Sequence, residues 1–267
     1  MSGTNLITGG AGFIGSKLVH RWYRNHPAAR NTIETNQVTK AFHLEMESRV
    51  DRRIMGSDAF IQTNLEGAFS IREAVRQAWA GLQGYRSLNI STDEVYSSQD
   101  EEDKSQGEMA YAPISTYSTS KAGSNHLVRA YLCTWGIDVV TTNCSNHYGS
   151  RQHSEKLTPL VITSIAKGEP IPIYNDGLDI RDWLLLKDHC AVLETGMING
   201  VMSESYCMGG DNEKTNLVLV DALRNLHLGR PQGTSRKLKT FVQDRAGHDR
   251  RYAIDTSKIQ KMIGWSP

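Results

Sequence analysis

Two short runs of polar side chains carry the residue types that acid–base chemistry on a hydroxyl group requires. The first contains Thr92, Asp93 and Glu94, directly after the apolar segment Ser87–Ile90. That segment predicts a buried strand, so the three side chains would lie at its carboxyl end, where open parallel sheets bind ligands. Because adjacent carboxylates repel each other, one can keep a proton and act as an acid while the other acts as a base.

The second run places Tyr117 and Lys121 four residues apart in a segment of helical character, so both side chains lie on one helix face. An ammonium group beside a phenol favours the phenolate, which makes the tyrosine a usable base. Together, the two runs predict a centre that oxidises a hydroxyl group and has an additional acid–base pair.

A glycine-rich segment near the start of the chain predicts a dinucleotide-binding turn. The apolar strand candidate Asn5–Thr8 leads into the sequence GGAGFIGS and then into a helical stretch. Glycines let the backbone turn tightly and approach a pyrophosphate, which then lies at the helix N-terminus. Two glycine spacings fit the motif, and the candidate cofactor contacts are Gly9 or Gly10, Gly12, Phe13, Ile14 and Gly15.

An acidic residue about 20 positions after such a turn holds the ribose hydroxyls in many NAD-binding folds. Glu34, at the end of the weak strand candidate Arg30–Ile33, has this position, although an ordinary surface glutamate fits the pattern nearly as well. The sequence therefore favours NAD over NADP as the cofactor.

The combination of Tyr-x-x-x-Lys with the upstream Thr-Asp-Glu run resembles the extended short-chain dehydrogenase/reductase superfamily. Within that superfamily, the run is similar to the dTDP-glucose 4,6-dehydratase family of lyases. The resemblance implies an α/β fold, with a doubly wound Rossmann-type parallel sheet and a smaller α/β substrate-binding part. Residues 1–145 would bind NAD and carry the catalytic residues, and residues 146–267 would mainly bind the sugar nucleotide.

The resemblance also implies a reaction. C4 of a dTDP-hexose would lose hydride to NAD while Tyr117, aided by Lys121 and Thr92, takes the hydroxyl proton. Glu94 would then remove the C5 proton, Asp93 would protonate the departing C6 hydroxyl, and the hydride would return to C6. The product would be a 4-keto-6-deoxy sugar nucleotide.

Two segments in the second half, EKLTPL and PIYNDGLDIRDW, closely resemble the sugar-nucleotide pocket of the family. Arginine and lysine suit a diphosphate, because phosphate oxygens accept hydrogen bonds most strongly from charged donors. By the resemblance, the residues that line the substrate are Asn146, Glu155, Lys156 and Leu157. Those that hold the nucleotide and its diphosphate are Tyr174, Arg181, Asn212, Arg245 and His248.

One stretch departs from the family. Between the strand candidates Arg30–Ile33 and Lys40–Leu44 the family has a further strand with flanking helices, whereas this chain has only Thr35–Thr39. Parallel strands need a crossover of about a dozen residues, and five residues span at most about 17–18 Å. We therefore expect an apparent internal deletion, with a chain break or irregular excursion near Thr35–Thr39, or no sheet strand at Arg30–Glu34.

Composition argues against several other function classes. The chain has 267 residues and a formal net charge of +1 with mixed signs, which leaves no electrostatic footprint for nucleic acid or membrane surfaces. We also expect neither a secretory leader nor a membrane span. The four cysteines have neither disulfide nor metal-type spacing, so reduced thiols, a cytoplasmic location and no metal are expected.

The segment Ser57–Ala80 predicts a long amphipathic helix packed on the sheet. Its apolar face would be formed by Phe60, Leu65, Phe69, Ile71, Val75 and Ala78. In the family, this helix and the Tyr117 helix build a homodimer interface, although core packing alone would use the same residues. After the Tyr117 helix, Asp138–Thr142 predicts the next strand.

Two other functions fit parts of the pattern. A 4-epimerase, or another NAD-dependent enzyme of nucleotide sugars, shares the glycine turn and Tyr-x-x-x-Lys but has no use for Asp93 and Glu94. A catalytically silent sugar-nucleotide-binding protein would explain the apparent deletion, and also Glu45 and Met46 where backbone should approach the cofactor. The intact catalytic set argues against such a protein.

Overall fold

The computed structural model describes residues 4–18, 38–44, 57–79, 83–98, 103–226, 238–244 and 249–267 of the chain. Several sequence predictions concern residues outside these ranges, namely the strand candidate Arg30–Ile33, Glu34, Glu45, Met46, Arg245 and His248. These remain predictions.

Strands and helices alternate through most of the described ranges. The strands are β1 Thr4–Thr8, β2 Val38–His43, β3 Arg86–Thr92, β4 Val139–Cys144, β5 Asn146–Tyr148, β6 Ile171–Tyr174, β7 Ile180–Leu185, β8 Ser205–Met208, β9 Glu213–Thr215, β10 Lys239–Val242 and β11 Arg251–Tyr252. The helices are α1 from residue 13, α2 (Asp58–Phe60, Ile61–Glu66 and Gly67–Ala78 in one run), α3 Thr116–Trp135, α4 Leu157–Lys167, α5 Leu186–Asn199, α6 Asn216–Leu226 and α7 Ser257–Ile263.

Five strands pair as one parallel sheet in the order β1-β2-β3-β4-β8. β4 is buried along its whole length, as expected for a parallel strand that helices cover on both faces. The strand predictions that fall on described residues are confirmed, with shifts of one or two residues at their ends.

Helices cover both faces of this sheet. On one face, α2 and α3 pack through an apolar cluster that includes Ala41, Val75, Val128, Tyr131 and Val139. On the other face, α5 and α7 pack through a cluster that includes Leu88, Val140, Leu193, Met197 and Ile259. Val139 and Val140 belong to opposite clusters because successive side chains of a strand point to opposite faces. This layering confirms the doubly wound, Rossmann-type α/β fold.

The buried face of α2 differs from the predicted apolar face. Phe69 is 49% exposed and Ala78 is exposed as well, whereas the polar residues Asn64 and Arg72 are buried. Asn64 donates a hydrogen bond to Ser120 Oγ at 3.0 Å, so its burial is compensated. The stretch Ile61–Glu66 is π-helical, and its wider turns rotate the later side chains around the helix axis. The assignment of Phe69 and Ala78 to the core face was therefore wrong.

β1 and β2, the described strands before and after the apparent deletion, lie side by side. β1 pairs directly with β2, with Leu6 opposite Ala41. β2 begins at Val38, so Val38 and Thr39 are regular strand and do not belong to the irregular excursion predicted near Thr35–Thr39. Residues 35–37 lie outside the described part of the chain.

The second half of the chain adds smaller sheets beside the main one. β6 pairs with β10, and β7 pairs with β5, β9 and β11. α4 and α6 pack on β6 through an apolar cluster that includes Val161, Ile165, Ile173 and Val220. Among the helices of the described residues, none is long and apolar enough to pass through a bilayer.

Candidate active site

A cavity of about 280 Å³ lies at the carboxyl ends of β1, β3 and β4. The lining residues that the sequence predicted as site residues are Gly9, Gly12, Phe13, Ile14, Gly15, Thr92, Asp93, Glu94, Tyr117, Asn146, Lys156 and Leu157. The other lining residues are Leu44, Ser91, Cys144, Ser145, His147, Gln152, His153 and Trp183. The glycine turn, the run Thr92–Glu94 and Tyr117 therefore meet around one space, whereas Lys121 does not line it.

The glycine turn joins β1 to α1 at the wall of this cavity. Gly9 has a left-handed backbone with a φ of 68°, and the Gly12 amide donates to the Gly9 carbonyl at 2.9 Å. A side chain on Gly15 would collide with that carbonyl, so the close approach of helix and turn requires glycine. These contacts favour Gly9 over Gly10 as the first glycine of the motif. The start of α1 is thereby positioned to bind an anion such as a pyrophosphate.

Asp93 lies beside the cavity with almost no exposure to solvent. The residue is 3% exposed, and its Oδ1 accepts a hydrogen bond from Thr92 Oγ1 at 3.2 Å. Its Oδ2 has no partner within the described residues. Burial, followed by the nearby negative charge of Glu94, raises the pKa of Asp93 well above its usual value. A carboxyl group that keeps its proton in this way is suited to act as an acid.

Thr92 fixes the turn that carries both acids. It is the last residue of β3 and caps the short 3₁₀ helix Asp93–Tyr96, because its Oγ1 accepts a hydrogen bond from the Glu94 amide at 3.3 Å. Glu94 is half-buried and keeps contact with water, whereas Asp93 is nearly dry. A single turn thus gives two neighbouring carboxyl groups different environments.

Tyr117 and Lys121 lie in the first turns of α3. The start of this helix is fixed by a capping box, in which Ser115 and Ser118 bond each other's backbone amides. Tyr117 is 3% exposed, and its ring packs edge-on against Phe60 of α2 with the centroids 5.9 Å apart. The helix start therefore holds the phenol in one orientation at the cavity.

Lys121 bonds a neutral group. Its Nζ donates to the carbonyl oxygen of Ile90 at 2.7 Å. Burial lowers the pKa of Lys121 to about 8, and the charge of Arg72 acts in the same direction. The ammonium is thus still mostly charged at neutral pH, and no carboxylate of the described residues pairs with it. Its charge can favour the phenolate form of a neighbouring tyrosine.

Arg72 is part of this region and was not found from the sequence. It is fully buried on α2, where its guanidinium donates to Ser87 Oγ and to Asn89 Oδ1, the latter at 3.3 Å. A charged residue in an amphipathic helix pattern usually faces solvent. The one available signal was the polar pair Ser87 and Asn89 within an otherwise apolar strand.

The predicted substrate contacts divide into two groups. Asn146, Lys156 and Leu157 line the cavity, on the segments that follow β4. Glu155 does not line it, and a Glu155 carboxylate oxygen lies 3.7 Å from Nδ1 of His153, which does. Three of these four residues are therefore brought to the catalytic side chains.

The predicted nucleotide contacts that fall on described residues do not line this cavity. The Arg181 guanidinium donates to the carbonyls of Ile180, Asp249 and Arg250 and lies 4.5 Å above the ring of Tyr252. These bonds fix Arg181 within the smaller sheet.

Tyr174 and Asn212 also lie in the second half of the chain. Tyr174 is the last residue of β6. The Asn212 amide donates to Asp182 Oδ1 at 2.7 Å, and its carbonyl accepts from the Trp183 amide at 3.3 Å. Nucleotide binding by Tyr174, Arg181 and Asn212 stays a prediction.

Comparison with known proteins assigns a family to this fold and site. The family model described as GDP-mannose 4,6 dehydratase matches residues 23–267. The chain belongs to this family. Among curated relatives, the dTDP-glucose 4,6-dehydratase of Xanthomonas campestris pv. campestris is 45% identical over 244 residues, which are 88% of this chain and 70% of that relative.

A second member of the 4,6-dehydratase family gives a longer alignment. The dTDP-glucose 4,6-dehydratase of Neisseria meningitidis serogroup B is 40% identical and covers 98% of this chain and 88% of its own length. The alignment runs over 314 positions, more than the 267 residues of this chain. That relative therefore has internal residues that this chain lacks, which agrees with the expected deletion.

The solved structures of the family agree with the fold. DesIV, a dTDP-glucose 4,6-dehydratase from Streptomyces venezuelae solved with NAD bound, is 33% identical with a TM-score of 0.87. The superposition covers 99% of this chain and 92% of that structure.

Proposed function

We propose that this protein is an NAD-dependent lyase that converts dTDP-glucose to its 4-keto-6-deoxy sugar nucleotide. The observation that carries the proposal is the pair of unlike carboxyl groups, buried Asp93 and half-buried Glu94, in the cavity that Tyr117 also lines. Oxidation alone needs only the tyrosine and its lysine, whereas elimination of water needs an acid and a base as well. The dTDP-glucose 4,6-dehydratases among the relatives support the same reaction.

The residues present fit NAD. The glycine turn and the start of α1 line the cavity beside Tyr117, so a dinucleotide bound there by its pyrophosphate could reach the sugar with its nicotinamide. The turn is built for close backbone approach, because Gly9 is left-handed and Gly15 tolerates no side chain. When bound, NAD supplies the redox chemistry, since it accepts hydride from C4 and returns it to C6.

Tyr117, Lys121 and Thr92 perform the oxidation half of the reaction. Tyr117 takes the proton of the C4 hydroxyl as the hydride leaves, and C4 becomes a ketone. The charge of Lys121, which no carboxylate of the described residues neutralises, stabilises the phenolate that receives the proton. The Thr92 hydroxyl helps to orient the C4 oxygen.

Glu94 and Asp93 perform the elimination half. The new ketone acidifies the C5 proton, which the Glu94 carboxylate removes. Asp93 donates its proton to the C6 hydroxyl, so that water leaves and a C5–C6 double bond forms. Hydride at C6 and a proton at C5 then complete the 4-keto-6-deoxy sugar. The roles follow from burial, because the drier group is the one that keeps its proton.

Substrate binding would divide between two parts of the chain. Residues 1–145 hold the cofactor and the catalytic groups, and residues 146–267 mainly hold the sugar nucleotide. Asn146, Lys156 and Leu157 are proposed contacts of the hexose. The remaining proposed substrate contacts are Glu155, Tyr174, Arg181, Asn212, Arg245 and His248.

We also propose a homodimer formed through α2 and α3. Ile61 and Phe69 on α2 are 39% and 49% exposed, which core packing within one chain does not explain. A second copy packed on the same helices would remove both side chains from water. Light scattering should then give the mass of two chains. A cytoplasmic location is proposed as well, because all four cysteines are free thiols.

Product analysis tests the reaction. The purified protein, with NAD and dTDP-glucose, should yield a sugar nucleotide that is lighter by one water and carries a 4-keto group in NMR spectra. Glu94→Gln should abolish this product while it leaves binding of the sugar nucleotide intact. Glu169→Gln, at an exposed position, is the matched control and should retain full turnover.

The alternatives give different results in the same experiment. A 4-epimerase would yield an isomer of unchanged mass. A silent binding protein would bind the sugar nucleotide without any product, and calorimetric titration of the folded protein would detect no NAD binding. Normal turnover by Glu94→Gln would remove Glu94 from the mechanism.

A further inference from the structure

Three side chains that can bind a metal meet beside the cavity, and the proposed reaction uses none of them. Cys144 ends β4, His147 lies in β5 and His189 lies in α5. One ligand atom of each residue lies within 4.8 Å of the other two. The two imidazole rings tilt toward each other, with their centroids 4.2 Å apart. The consecutive strands β4 and β5, which belong to different sheets, and the helix that follows β7 thus bring a thiol and two imidazoles together.

Each of the two histidine rings has one nitrogen that can bind a cation. His189 is completely buried, and neither of its ring nitrogens has a hydrogen-bond partner among the described residues. His147 Nε2 is also buried without a partner in that part of the chain. Burial lowers the pKa of His147 to about 4 and that of His189 well below its usual value, so both rings are neutral near pH 7. Buried polar atoms without partners are costly, and a bound cation would provide a partner for one nitrogen of each ring.

We propose that Cys144, His147 and His189 form a binding site for Zn²⁺ or a chemically similar thiophilic cation. One thiolate and two imidazoles are ligands that Zn²⁺ prefers. Around a tetrahedral Zn²⁺ such ligand atoms would lie roughly 3.3–3.6 Å apart, so atoms within 4.8 Å of one another need only small side-chain shifts. Three protein ligands leave a fourth position for water, as in zinc sites that stay open on one side.

Binding requires the thiolate of Cys144. In the metal-free arrangement the thiol donates to the Ser91 carbonyl at 2.9 Å, and burial raises the pKa of Cys144. The cation replaces the thiol proton: the S–H bond breaks, a metal–sulfur bond forms, and the proton passes to solvent without any change of oxidation state. Because one proton is released, the cation and the proton compete for the same sulfur.

The site adjoins the proposed catalytic residues. Cys144 and His147 line the cavity, and Cys144 is the partner of Thr92 in the pairing of β3 with β4. A cation with its water would therefore occupy space beside Thr92 that the substrate needs, and turnover should be inhibited. The inhibition rests on the proposed dehydratase activity, whereas binding of the cation does not.

Titration of the reduced, metal-free protein with Co²⁺, a spectroscopic substitute for Zn²⁺, tests the site directly. Thiolate ligation gives a charge-transfer band in the near ultraviolet, and Zn²⁺ should displace Co²⁺ and remove it. Cys144→Ser should abolish this band, and His147→Asn should weaken Zn²⁺ binding at least tenfold. Cys133→Ser changes the exposed cysteine, and His153→Asn changes a cavity histidine outside the cluster. Both of these controls should bind like the unmodified protein.

Several results would contradict the proposed cation site. These are no saturable Co²⁺ absorption in the folded protein, a thiolate band that persists in Cys144→Ser, or equal losses in His153→Asn and His147→Asn. Circular dichroism establishes that each variant folds, and the half-buried position of His147 keeps its variant informative if Cys144→Ser does not fold.

Inhibition is measured separately. Zn²⁺ should stop product formation in the unmodified protein and in Cys133→Ser, and a chelator should restore it. Any residual activity of Cys144→Ser should be insensitive to Zn²⁺. Unchanged turnover with Zn²⁺ demonstrably bound would refute the inhibition.

Discussion

Two groups of cations in this molecule have opposite kinds of partners. At the catalytic end of the main sheet, Lys121 donates to the carbonyl of Ile90 and Arg72 donates to a hydroxyl and an amide. In the second half of the chain, Arg251 is paired with the carboxylate of Glu213 at 3.0 Å. Lys121 and Arg72 are therefore buried with neutral partners, whereas Arg251 and its neighbour Arg250 have carboxylate partners.

This difference separates charges that act on the site from charges that hold the fold. A carboxylate partner neutralises a cation locally and favours its charged form, as the hydrogen bond to Asp176 does when it raises the pKa of Arg250. Neutral partners leave the charge uncompensated in a poorly polarisable interior, where it acts on any anion that develops nearby. Burial accordingly lowers the pKa of Lys121 to about 8 and that of Arg72 to about 10.

Replacement of Lys121 should have the largest effect, and we expect this effect on the catalytic rate. Lys121→Met removes the charge that favours the phenolate, and we expect kcat for product formation to fall by about 10²–10⁴-fold. No ion pair of the described residues is lost, so the thermal midpoint should change little. In the unmodified protein, activity should decline as pH rises through about 8, because Lys121 then loses its charge.

Lys167→Met is the matched control for this experiment. Lys167 lies at the exposed end of α4, and its replacement should leave both kcat and the pH profile unchanged. Activity of Lys121→Met within tenfold of the unmodified protein would contradict the role assigned to Lys121.

Replacement of Arg251 should have a smaller effect, and on stability alone. Arg251→Met leaves the partly buried Glu213 carboxylate without this partner and also removes a hydrogen bond to the Asp103 carbonyl at 2.7 Å. We expect the free energy of unfolding to fall by about 1–3 kcal/mol, with kcat unchanged at temperatures where the variant is folded. Urea denaturation and product assays on one preparation measure both. A loss of kcat without a loss of stability would show that Arg251 acts on the site and not on the fold.

Replacement of Arg72 should have the smallest effect on turnover. We expect the change in the pH dependence of activity. The charge of Arg72 helps to lower the pKa of Lys121, so Arg72→Met should raise that pKa. The alkaline decline in activity should then move to higher pH by a fraction of a unit. Arg76→Met, whose guanidinium is paired with Glu73, should not move it. A shift to lower pH would show that Arg72 acts on Lys121 in another way.

The residues predicted most reliably from the sequence were those whose chemistry depends on local spacing. Tyr117 and Lys121 lie on one face of a regular helix, and Thr92 ends a buried strand, because helical and strand periods fix such placements within a few residues. The glycine turn was predictable for the same reason. The burial of Asp93 depends on packing around the turn, which spacing alone does not provide.

The features missed from the sequence depend on contacts between distant segments. Arg72 looks like a surface residue until its hydrogen bonds to Ser87 and Asn89 on β3 are known. Likewise, Cys144 and His147 are three positions apart, but the third member of their cluster, His189, comes from a helix beyond β7. Sequence periods describe one element at a time, and these clusters form only when elements pack together.

Trp183 places a fluorescent side chain at the cavity. Its indole lines the cavity and is almost completely buried, whereas Trp79 and Trp135 line a separate hollow near the amino ends of β3 and β4. Indole emission responds to the polarity of its surroundings and to nearby energy acceptors such as a reduced nicotinamide. The protein therefore contains its own fluorophore at the place where the proposed ligands meet, and their arrival can be followed without any added label.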